Sequence, residues 1–145
     1  MRKGKLVAIY KARQADVYDM ECVLKLNYLL FDKLTFTRLG AKNDNELEMN
    51  ISVNIGVNIS DDNFKKVTIG IVGNKKDEYT VEVQASGLFE YKGDATESII
   101  QQNAVAIVMP YVRSQLTLLT SQPGVEPIVI PPFNIVEMLK EQSSN

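Results

Sequence analysis

The stretch Glu46–Ser60, ELEMNISVNIGVNIS, decides the fold. Leu47, Met49, Ile51, Val53, Ile55, Val57 and Ile59 are apolar, and every position between them is polar or glycine. Side chains of a strand alternate between two faces, so this is one long β-strand with an apolar row and a polar row. The apolar row requires a cover, and the rest of the chain is read as neighbouring strands and the helices laid over them.

Downstream, Val67, Ile69 and Ile71 alternate with polar or small residues and predict a third strand. The loop Gly73–Asp77 (GNKKD) reads as a hairpin tip that places Gly or Asn at φ > 0. Tyr79, Val81, Val83 and Ala85 then open a fourth strand running to about Tyr91. Upstream, 32–39 has strand composition. Asp16 followed by Val17, Met20, Val23, Leu24 and Tyr28 has helical spacing and predicts an N-terminal helix over 16–27. Residues 1–15 are basic and weakly patterned. Short loops make successive strands antiparallel neighbours, so the expected sheet is a four-stranded meander.

After Gly93, Asp94 or Thr96 can cap a long helix reaching about Ser121, with Glu97 in its first turn where the dipole favours an acid. From Ala104 to Val112 that helix has almost no polar residue on any side, and one sheet covers one side only. The expectation is an oligomer built on this helix, with Val105, Ile107, Val108, Val112 and Leu116 at its interface. Pro110 lies within it and is expected to kink it. Pro123-Gly124 ends it. Prolines at 127, 131 and 132 make VEPIVIPPFN an extended loop, yet a strongly apolar one. A short last helix is expected from about Asn134. No linker or repeat divides the chain, so 1–145 reads as a single α+β domain.

Composition narrows the chemistry. The 145 residues include no His and one Cys, which removes Ser-His and Cys-His catalysis, His-ligated metal and an internal disulfide. Cys22 reads as a reactive thiol or as a small buried hydrophobe in DMECVLKL; no adjacent base supports the first. A net charge of −2 gives no nucleic-acid signature, and no apolar run reaches the ~20 residues of a membrane span. The basic start carries too short an apolar core for a signal peptide, so a cytoplasmic protein is expected. The glycines of SVNIGVN and TIGIVGN sit in or at the ends of strands and build no phosphate loop. No carboxylate pair has a defined partner, so neither an enzyme, a cofactor nor a metal site is expected. What remains is apolar surface: Leu88, Phe89, Tyr91, Tyr111, Ile128, Ile130 and Phe133 either line a groove between sheet, helix and loop or form core.

Three of these segments, in this order, resemble the SecB family of protein-export chaperones: Gly87-Leu88-Phe89, Pro110-Tyr111-Val112-Arg113 and Pro131-Pro132-Phe133-Asn134. The match is close over about 79–139. The resemblance implies a four-stranded antiparallel sheet with two helices on one face and a tetramer built as a dimer of dimers. It implies a holdase that binds unfolded preproteins without ATP, with delivery to SecA through acidic residues on the outer sheet face. Glu82 matches one such position; Thr35, Thr37 and Arg38 stand where the family's acidic cluster would lie. The N-terminal region departs from the proteobacterial pattern and looks more like the SecB-like proteins of other bacteria, some of which guard the antitoxin of a toxin–antitoxin system instead of serving general export. Two other classes stand beside this one, a small-ligand-binding α+β domain and a purely structural oligomer.

Overall fold

The structure, a computed structural model, describes residues 6–11, 21–57, 64–93 and 96–132. Five strands precede one helix: β1 Leu6–Lys11, β2 Glu21–Arg38, β3 Leu47–Val57, β4 Phe64–Lys75, β5 Tyr79–Lys92 and α1 Glu97–Thr120. All pairings are antiparallel and the order is β1-β2-β5-β4-β3. The α+β class holds, and β3, β4 and β5 form the expected hairpin run.

Three expectations are corrected. The helix placed over 16–27 is not formed at 21–27, which belongs to β2; 12–20 lie outside the described residues. Residues 6–11, read as unpatterned, form β1. The sheet is not a simple meander, because β2 pairs with β5 rather than with β3. The connection 39–46 therefore crosses the ends of β5 and β4. The expected last helix falls outside the described residues.

β2 does not keep a simple alternation along its length. Its register against β5 shifts between Leu26 and Tyr28 and again between Phe31 and Lys33. Each shift inserts one residue, so the row facing the helix is Leu24, Leu26, Leu29, Phe31, Leu34, Phe36, opposite Tyr91, Phe89, Gly87, Ala85, Val83 and Val81. Beyond Leu26 a period of two becomes steps of two and three.

The helix packs across β5 and onto β4 and β2. Val67, Ile69 and Ile71 of β4, Val81, Val83, Ala85 and Phe89 of β5, and Val105, Val108, Val112 and Leu116 of α1 are buried together. Thr96 is the N-cap, accepting from the Ile99 amide at 3.3 Å. A Cβ built on Gly87 would lie 3.1 Å from Val108 Cγ2 and 3.3 Å from Leu26 Cδ1, so glycine lets helix and sheet approach here. Pro110 is exposed inside an unbroken 24-residue helix, where its missing N–H leaves the Ala106 carbonyl without its usual donor. The hairpin turn carries its positive φ, 63°, at Asp77 instead of at Gly73 or Asn74, which belong to β4.

Candidate functional site

Beyond α1 the apolar chain is laid back along the helix as a strap, and α1 side chains bind its backbone. Thr117 Oγ1 donates to the Ile128 carbonyl at 2.7 Å, the Ile128 amide donates to Thr120 Oγ1 at 2.9 Å, and Arg113 Nε donates to the Ile130 carbonyl at 2.9 Å. This satisfies an extended segment that has no strand partner. Ile128 and Ile130 are buried while Val129 between them is 73% exposed. Sequence reasoning missed these three holders. The signal was there: hydroxyls three residues apart at the end of a helix, followed by an apolar run broken by prolines.

The predicted groove does not assemble as expected. Phe89, Ile128 and Ile130 are core. Leu88 is half-buried on the opposite sheet face, paired with Tyr28 and Lys66. Tyr91 is half-buried against the core, Tyr111 is half-buried on α1, and Phe133 lies outside the described residues. The oligomer surface is corrected too. Val105, Val108, Val112 and Leu116 are fully buried within the chain, and Ile107 is half-buried. The outward face of α1 instead presents Ile99, Ala106, Pro110, Ser114 and Leu118, with no charge among them.

Apolar side chains that are only partly covered lie on both flanks of α1. On one flank are Leu29, Phe31, Leu34 and Phe36 of β2; on the other are Leu47, Met49, Val53 and Ile55 of β3. Helix α1 packs on β5, β4 and β2, and β3 lies beyond that footprint. Leu34 is 41% exposed and Met49 36%.

The connection between these two strands is fixed by Glu78. Its carboxylate lies 2.7 Å from Lys75 Nζ and accepts from the Asn43 amide at 2.9 Å; its carbonyl accepts from the amides of Leu39 and Gly40. Lys75 also donates to the Asn43 carbonyl at 2.8 Å. The Lys75 hydrogen bond and then the Asn43 amide hold the Glu78 carboxyl below the usual carboxylate range, and the same Glu78 bond raises Lys75. A Cβ on Gly40 would stand 2.5 Å from the Asp77 carbonyl oxygen, so the loop closes on the hairpin turn only with glycine. A cavity opens beside this clamp, lined by Lys42, Asn45, Leu47, Tyr79, Glu126 and Ile128 among others.

On the other sheet face, Glu82 pairs with Lys33 at 3.0 Å. Ser86, buried, donates to Asp32 at 2.5 Å and shares a hydrogen bond with Thr68 at 3.0 Å. Among the described residues no group of acidic, His or Cys side chains is placed to hold a metal. No helix among them is long and apolar enough to cross a membrane.

Comparison with known proteins agrees with this architecture. The uncharacterized protein MJ0357 of Methanocaldococcus jannaschii is 26% identical over 130 residues, covering 82% of this chain and 84% of that one. The Mycobacterium tuberculosis Rv1957 SecB-like chaperone, solved in complex with a ChAD peptide from the Rv1956 HigA1 antitoxin, superposes with a TM-score of 0.57. That match covers 76% of this chain and 90% of that one at 17% identity, a likeness of fold. The family model described as preprotein translocase subunit SecB matches residues 30–145. With four-fifths of its length inside that match and the sheet and helix the family implies, the chain belongs to the SecB family.

Proposed function

We propose that the protein is an ATP-independent holdase that binds extended apolar segments of non-native proteins in the cytoplasm. The observation that carries this reading is the β3 flank: an alternating aliphatic row on the helix side of the sheet, beyond the footprint of α1. Leu47, Met49, Val53 and Ile55 offer unbranched and branched aliphatics without a charge among them, a surface that accepts many sequences. Covering about 1,000 Å² of such surface is worth roughly 25 kcal/mol gross, most of it offset by ordering the client. The homotetramer is supported by the uncharged outward face of α1, whose Ala106, Pro110 and Ser114 allow close helix approach.

A dedicated client is the second reading, and the outer sheet face favours it over SecA delivery. Glu82 is already paired with Lys33, and Thr35 and Thr37 surround it in place of acids. The peptide held by the mycobacterial neighbour belongs to an antitoxin, which fits a single client protein.

The test is suppression of aggregation of a denatured model protein at near-stoichiometric amounts, without nucleotide. Suppression that is unchanged by ATP is the expected result. A saturable small ligand with no suppression would replace this reading with the ligand-binding one, and neither effect would leave a structural oligomer.

A further inference from the structure

The sheet face turned away from α1 divides into two unlike halves. At one end Glu82 is paired with Lys33, and Thr35, Thr37, Thr80 and Gln84 surround the pair, so that end is close to neutral. At the other end the ladders set Lys25 opposite Glu90 and Glu90 opposite Phe64. The next row sets Tyr28 opposite Leu88 and Leu88 opposite Lys66. Leu30 follows opposite Ser86, and Lys92 lies two residues beyond Glu90 on the same face.

This second half is apolar at its centre and basic at its rim. Phe64 and Leu88 are half-buried, while Tyr28 is 39% and Leu30 55% exposed. Lys25, Lys66 and Lys92 are exposed, and among the described residues none of them makes an ion pair. Three lysines against one glutamate leave two positive charges in excess here, in a chain whose net charge is −2. The field of this half therefore runs against that of the molecule. An apolar centre with a charged rim is the arrangement of a docking surface.

Dimensions and charge select the occupant. Neighbouring strands stand about 4.8 Å apart and like-facing residues about 7 Å apart along a strand, so the patch spans roughly 10 Å by 14 Å. A folded partner held stably buries roughly 1,200–2,000 Å² in total, several times what this patch offers. A short segment needs no more than the patch. Nucleic acid would lay a dense row of phosphates over Glu90, which stands among the three lysines. A polypeptide with spaced carboxylates can reach the lysines and pass Glu90 by.

We infer that this half of the outer face docks a short acidic segment of a partner protein. Its apolar or aromatic side chains rest on Tyr28, Leu30 and Leu88, and its carboxylates meet Lys25, Lys66 and Lys92. The charge is opposite to that of the acidic outer face that the sequence resemblance implies, so the partner it suits is opposite too. The site is on the far side of the sheet from the β3 row. A segment docked here and a client held there do not compete, and the inference stands or falls apart from the holdase.

Fluorescence anisotropy on the full chain tests it with three synthetic peptides of equal length. The first alternates Glu with Leu and Phe, the second has Lys for Glu, and the third keeps Glu and has Ser for Leu and Phe. The first is expected to bind saturably, more weakly as salt rises, and about ten-fold more tightly than either of the others. Lys25→Glu with Lys66→Glu is expected to weaken the first peptide about ten-fold and to reverse the preference towards the second, with suppression of aggregation unchanged. Tyr28→Ser should weaken the first peptide with sedimentation unchanged, and Met49→Asp should leave it as it was. Equal binding of the first two peptides, or no saturable binding of the first, overturns the site. Binding lost in Met49→Asp and untouched by the charge reversal also overturns it and assigns the peptide to the β3 row. Phosphatidylglycerol vesicles or a single-stranded oligonucleotide bound more tightly than the first peptide, and released by the charge reversal, overturn the polypeptide occupant.

Discussion

β2 and β3 flank the same helix and have opposite characters. β3 pairs with β4 in eleven consecutive steps without a break, and its apolar row is strictly alternate. β2 is longer, is broken by two bulges, and places charged Asp32 and Lys33 at the second of them. The regular strand presents a uniform surface that can take many sequences. The irregular strand presents a surface broken by charge and by two register shifts. The contrast separates the surface read as promiscuous from one that the client reading does not use.

The heaviest blow to this picture is Phe89→Ala. Phe89 is fully buried opposite Leu26, next to the first bulge, and its loss is expected to cost about 3–5 kcal/mol in a urea titration. A cost under about 1 kcal/mol would return Phe89 to a groove and blur the division between core and flank.

Next is the clamp joining the two strands. Because the Glu78 carboxyl is held below its ordinary range in the folded state, its stabilisation is present above the unfolded carboxylate range and is lost as pH falls through the folded value. Lys75, raised, contributes below its unfolded value and loses that contribution as pH rises through the folded one, on the alkaline side. The urea midpoint should fall on acidification in the wild type, and Glu78→Gln should flatten that acid limb. An identical acid limb in the variant would remove the clamp from the account.

A smaller effect sharpens the contrast itself. Met49→Asp, on a partly exposed β3 site, is expected to weaken client holding about ten-fold, or ~1.4 kcal/mol, with sedimentation unchanged. Leu34→Asp, on the β2 flank, should leave client holding unchanged. If both changes strike the same property, the two flanks are one surface. The smallest effect expected is at the Lys33–Glu82 pair, whose side chains are 52% and 30% exposed; breaking it by Glu82→Gln should cost at most about 1 kcal/mol in the same titration.

How much of this was legible follows from the residues. Alternation gave β3, β4 and β5, and Thr96 with Glu97 gave the start of α1, because in each the local rule and the tertiary environment agree. It failed at β2, where helical spacing over 16–27 runs into Glu21–Leu26, a segment held as regular strand by its ladders to β1 and β5. It failed at the strand order because a short connection normally joins neighbouring strands, whereas contacts some 35 residues apart, through Glu78, seat 39–46 across the sheet. At the site, Leu88 and Phe89 are consecutive in a strand and cannot share a face, a rule that alone excludes a groove lined by both. The charge-poor surroundings of α1 were visible from sequence; which of its sides meets the sheet was not, since both are apolar.

The strap carries one more consequence. Pro127 and Pro131 have no amide hydrogen, and Ile128 spends its own amide on Thr120. This greasy ribbon on the protein's exterior is therefore a poor template for a passing chain to copy its hydrogen bonding from. Its most exposed large apolar side chain, Val129, therefore sits in a segment whose neighbouring backbone donors are missing or spent, which suits it poorly to extending a sheet.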